Sequence, residues 1–165
     1  EGSAGIEEAL ENADIPKDLQ IKAIEMAELP EVFKSLLSDN NNDVIYEKLG
    51  VKTFAEYVGE FLSKLIIHIV AFLCTFLLVT IVLRAIIFAL DIVSELPVLG
   101  FFNRLAGGVV GAAGGLIIIW LFFVVITLLY VTAFGREIYQ VIQENAILNM
   151  LYENNPLMKL ATNFM

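Results

Sequence analysis

The sequence predicts an all-α membrane protein: a helical hairpin of two transmembrane helices, with short amphipathic helices before and after. Three observations carry that reading. Hydrophobic residues make up 58% of the 165 and mean hydropathy is +0.78, against roughly 45–50% apolar residues in soluble domains. Two stretches, Leu65–Leu83 and Leu105–Gly135, run nineteen and thirty-one residues without a formal charge, counting His68 as neutral. Charge is also segregated, because residues 1–64 hold six Lys against fourteen Asp and Glu and so carry −8 of the net −9. The expected organisation is an acidic helical segment at 1–53, a transmembrane hairpin at 54–135 with spans at about 65–83 and 105–130, and amphipathic C-terminal helices at 136–165.

The first segment reads as short helices between breakers. Asp14 and Pro16 mark a start, and Leu19, Ile21, Ile24 and Met26 supply a loose apolar stripe that fades near Leu29-Pro30. Pro30 suits the first turn of a second helix, where its missing N–H costs nothing. Val32, Phe33, Leu36 and Leu37 give that helix an i, i+3, i+4 face. Ser38–Asp43 is a polar loop that caps a further short helix, closed by Gly50. These stripes are expected to pack on each other, on the membrane surface, or on other parts of the protein. An acidic segment of this kind repels phosphate and disfavours nucleic acid as a partner.

Thr53-Phe54-Ala55-Glu56 is a capping box, in which hydroxyl and carboxylate each accept from the other's backbone N–H. No breaker follows until Pro97, so one helix should run from the box through the first span. Nineteen residues at about 1.5 Å each approach the ~30 Å of hydrocarbon in a bilayer. Cys74, the sole cysteine, reads as a small buried hydrophobe. Leu96-Pro97-Val98-Leu99-Gly100 ends the helix, and the second run begins after Arg104. That run is longer than one span needs, which tilt or an interfacial turn absorbs. Trp120 lies well inside it, so Tyr130 is the better interface anchor. Beyond Gly135-Arg136-Glu137, Ile138, Val141, Ile142 and Ala146 share one face, and Ile147, Leu148, Leu151 and Tyr152 share another. Asn154-Asn155-Pro156 stops the pattern. These residues predict one or two helices resting on the membrane.

Nothing in the pattern assembles a catalytic, cofactor or metal site. There is one histidine, His68, one cysteine, and no metal-ligand spacing. The informative feature is glycine: Gly107, Gly111 and Gly115 recur every four residues, widened by Gly108 and Gly114. In lipid, small residues at this spacing let a second backbone approach closely. The partner is the first span, a further helix, or another subunit. Arg84, Asp91 and Arg104 lie around the hairpin turn, where pairing of Asp91 with an arginine would lower the cost of charge near lipid; snorkelling to water is the alternative. Lys and Arg counts on the two sides leave the orientation undecided.

From about Phe54 to Leu160 the chain resembles the colicin V production protein family of bacterial inner-membrane proteins. The residues carrying the resemblance are Leu90-Asp91-Ile92-Val93, Leu96-Pro97-Val98-Leu99, Asn103-Arg104-Leu105-Ala106-Gly107-Gly108 with Gly111 and Gly115, and Leu151-Tyr152-Glu153-Asn154-Asn155-Pro156-Leu157. Asn103 stands where the family usually carries Asp. The resemblance implies four spans, two of them before Glu1, and a cytoplasmic Arg84–Arg104 turn with the acidic segment and the tail on the outer side. It also implies a role in making or exporting a peptide bacteriocin.

The resulting expectation is a non-enzymatic, multi-pass component that supports bacteriocin production, secretion or envelope function through helix–helix assembly. Its expected partners are the lipid bilayer, the upstream helices or other membrane subunits, and a second copy of itself. The alternative is a small transporter or channel subunit whose polar path is lined by His68, Arg84 and Asp91; the uncharged second span argues against it.

Overall fold

A computed structural model of the chain describes residues 15–91 and 100–163, with side chains at 15–89 and 107–163. Every regular element among them is helical. In order they are α1 (Lys17–Met26), α2 (Glu31–Asp39), α3 (Asp43–Leu49), α4 (Phe54–Asp91), α5 (Gly100–Leu128), a 3-10 turn (Leu129–Val131), α6 (Ala133–Glu144), α7 (Ala146–Glu153) and α8 (Pro156–Thr162). The chain divides into two compact units, 1–66 and 67–165. The division falls inside α4, which belongs to both.

In the first unit the expected punctuation is in place. Asn42 caps α3 by accepting from Ile45 N, and Gly50 closes that helix at φ 72°, the left-handed conformation that suits glycine. The capping box of α4 is complete: Glu56 N donates to Thr53 Oγ1 at 3.2 Å, and Thr53 N and Lys52 N donate to Glu56 Oε2 at 3.2 and 2.8 Å. The short helices do pack on each other. Ile24, Phe33, Leu37, Ile45, Tyr57 and Phe61 are buried, Tyr57 stacks on Tyr46 with ring centroids 4.8 Å apart, and its hydroxyl donates to Leu37 O at 2.7 Å. Patterning did not reveal a polar tie beside this core. Buried Gln20 donates to Ile15 O and accepts from Asn41 Nδ2, while Tyr46 donates to Asn41 Oδ1.

In the second unit α4 runs on unbroken, as the absence of breakers predicted. The break foreseen at 96–100 lies outside the described residues except for Gly100, which opens α5. Phe54–Ala89 and Gly107–Val131 are long and apolar enough to cross a membrane, yet only 11% and 17% of their most apolar windows are covered within the chain. A core helix of a soluble protein would be mostly covered. Val70, Leu77, Leu78, Ile81 and Phe88 on α4, like Val110 and Ile118 on α5, stand exposed. Apolar side chains at that density have no place in water, so each of these two helices carries a membrane span within its length. Cys74 is exposed too, which corrects the expectation of a buried position: its face of α4 is among those the chain leaves bare.

The C-terminal residues form three helices rather than one or two, and they dock on α5 instead of merely resting beside the spans. Thr132 starts the first of them, accepting from Gly135 N at 3.0 Å and donating to Leu129 O at 2.7 Å. Gly135, Tyr139, Ile142, Tyr152, Met158 and Ala161 are buried.

Candidate functional site on the second span

The second span carries two different surfaces. Its first half presents the glycines. Among the described residues, nothing lies within 4 Å of a Cβ built at Gly107, Gly108, Gly111, Gly114 or Gly115. Steps of four advance about 400° at 3.6 residues per turn, so Gly107, Gly111 and Gly115 make one narrow stripe, and among the described residues no helix lies close against it. Of the three partners the sequence left open, close approach by the first span is not found among the described residues.

The pairing expected around the hairpin turn lies outside the described residues. Arg84 is exposed on α4, and the side chains of Asp91 and Arg104 lie outside the described residues. His68 is half-buried on α4. Among the described residues no three His, Cys, Asp or Glu side chains gather at one point.

The second half of the span is clasped by the tail. Trp120 Nε1 donates to Leu151 O at 3.1 Å, and Asn155 Nδ2 donates to Trp120 O at 2.9 Å, so side chain and backbone of one residue hold both sides of the α7–α8 turn. Asn155 also starts α8: its Oδ1 accepts from Leu157 N and Met158 N at 2.9 and 3.1 Å. It is 1% exposed, with donor and acceptor both satisfied. Two turns further along α5, Thr127 donates to Phe123 O at 2.9 Å, so the 2.9 Å bond between Thr127 Oγ1 and the Tyr152 hydroxyl is given by the phenol. Burial pushes the Tyr152 phenol far above its ordinary range, and it stays neutral. Tyr139 meets Tyr152 edge-on at 5.6 Å and Tyr130 edge-on at 5.0 Å, and Phe123 packs on Tyr152 at 5.7 Å. The interface anchor expected at Tyr130 is thus engaged by the tail.

The sequence named Asn154-Asn155-Pro156 only as a stop, and Trp120 as poorly placed for an anchor. A signal was available. Asn before Pro is a strong helix start, and a lone Trp in a span needs a partner for its N–H.

Chemically the arrangement offers hydrogen bonding and close packing: a bare apolar helix pair, an open glycine face, and a braced helix end. That defines an integral helical membrane protein. The chain belongs to the colicin V production protein family, whose model, described as Colicin V production protein, matches residues 46–156. The match runs from α3 through the α7–α8 turn and includes Trp120, Thr127, Tyr152 and Asn155. No curated protein and no solved structure matches the chain.

Proposed function

We propose that this chain is a non-enzymatic component of the bacterial inner membrane that supports bacteriocin production or secretion, or envelope function, by assembling with other helices. Family membership connects it to colicin production. The single observation that carries the finer reading is the open glycine stripe at Gly107, Gly111 and Gly115, on a span whose neighbouring side chains are bare. Lipid offers little hydrophobic force between helices, so close backbone approach is the main source of association. The partner is a further span of the same protein, another membrane subunit, or a second copy. The braced tail suits such a role by holding one end of the span rigid while the other presents its face. The acidic segment is assigned to the outer side on the family's topology, and a reporter fused after Asn41 tests that side; activity only in the cytoplasm reverses it.

Replacement of Gly111 by Leu tests the assembly. The added side chain fills the stripe without hindering insertion, since Leu favours the membrane more than Gly. Crosslinked species in native membranes should fall sharply, while Ile118→Leu, at an exposed apolar position, leaves them unchanged. Unaltered crosslinking in Gly111→Leu removes the glycine face as an assembly surface.

A further inference from the structure

Along α5 the residues divide sharply into bare and covered. Val109, Val110, Ile118 and Phe122 are 65, 70, 66 and 48% exposed, whereas Phe123, Val124, Ile126 and Thr127 are 2, 0, 1 and 1% exposed. The change falls two residues past Trp120, where the α7–α8 turn is tied down on both sides. The turn carries charge and amide on its outer surface, for Glu153, Asn154 and Lys159 are all exposed. Val131 lies eleven residues beyond Trp120, about 16 Å along the helix axis. If hydrocarbon reached Tyr130, the exposed faces of a carboxylate, an amide and an ammonium would be held deep in lipid, although Glu153 accepts from Asn149 Nδ2 and Asn154 Nδ2 donates to Met150 O within the tail itself. Irregular backbone and charge are tolerated at depth only inside protein or against water.

We propose that hydrocarbon on this side of the membrane ends at Trp120, and that Phe123–Val131 together with α6, α7 and α8 form a cap outside it. The helix length agrees. Gly100 to Trp120 is twenty steps of about 1.5 Å, or about 30 Å, the hydrocarbon thickness of a bilayer. Arg104 then lies about 6 Å inside the opposite boundary, within reach of water for a long basic side chain. Trp120 takes the interfacial position that tryptophan favours. Phe123, Val124, Ile126 and Thr127 are covered by the tail, and only Leu129 and Val131 at the far end of this stretch stand exposed, where they face the headgroup layer with the cap's other bare residues. The exposed Phe134, Val141 and Ile147 of the cap suit the headgroup layer, where amphipathic helices rest.

Trp120 is the sole tryptophan in the chain, so the unaltered protein reports its own depth. A span from Leu105 to Tyr130 places Trp120 about 4 Å from the bilayer midplane, and the proposal places it about 15 Å away. The protein is reconstituted into phosphatidylcholine vesicles brominated at the 6,7, 9,10 or 11,12 acyl positions, and Trp120 fluorescence is read in each. Strongest quenching by the 6,7 lipid is expected; strongest quenching by the 11,12 lipid overturns the proposal. In a Cys74→Ala background, Lys159→Cys should react with an impermeant maleimide in vesicles opened to expose both faces, while Ile118→Cys stays protected. Equal protection at both positions makes the tail a re-entrant segment in lipid and also overturns the proposal.

Discussion

Asn155 holds the tail to the second span by two separable interactions, and substitution can take them apart. Asn155→Ala removes the acceptor for Leu157 N and Met158 N, a helix N-cap worth about 1 kcal/mol, and the 2.9 Å bond to Trp120 O, a buried hydrogen bond worth about 1 kcal/mol. Docking of α8 should weaken by about 2 kcal/mol, which raises its opening constant about 30-fold. Asn155→Ser keeps a capping acceptor on a side chain too short to span to Trp120 O. It should lose about 1 kcal/mol, near fivefold in opening. Hydrogen exchange of the Leu160 and Ala161 amides in detergent micelles reads both changes directly, and Trp120 fluorescence reads the same opening from the other partner. Wild type, Ser and Ala should rank in that order of protection. Unchanged protection in the Ala variant refutes the brace. Equal losses in Ser and Ala refute the separation into cap and bridge.

Two further outcomes follow from local geometry. A Cβ at Gly135 would run into the carbonyl of Leu129 and come within 2.9 Å of Tyr130 N, all of it backbone, so Gly135→Ala should cost about 1–3 kcal/mol of overpacking. Gly59→Ala, where nothing lies within 4 Å, should be neutral or gain up to about 1 kcal/mol of helix propensity; thermal midpoints of the two variants in detergent separate the cases. Glu56 lies nine residues before the first uncharged run and accepts from Lys52 N and Thr53 N, which lowers its pKa from the ordinary 4.5. A lowered pKa means that the cap's contribution is present above that ordinary value and is lost as pH falls through the folded one. Thermal midpoints of wild type and Glu56→Ala should therefore differ at pH 7 and converge in strong acid, and a difference that persists there counts against the carboxylate.

The elements that could be read from sequence are those whose cause is local. The Thr53–Glu56 capping box, the left-handed Gly50 and the polar Asn42 cap each depend on residues within one turn, and each formed where expected. The two spans were equally legible, because crossing a bilayer demands an uncharged run of a certain length whatever packs beside it. The family was legible too, since the resemblance read from short contiguous stretches is matched by the family model over residues 46–156.

What patterning missed depends on residues far apart in the chain. The Gln20–Asn41–Tyr46 tie joins helices 21 to 26 positions distant. Trp120 and Asn155 meet across thirty-five residues, and neither carries a sign of the other. The uncharged run from Leu105 to Gly135 determined that α5 would be apolar throughout its length, because lipid and a protein cap both exclude charge. Only the folded tail decided which half of that helix is bare and which is covered. Hydropathy measures how poorly a side chain suits water, and it is silent about what takes the water's place.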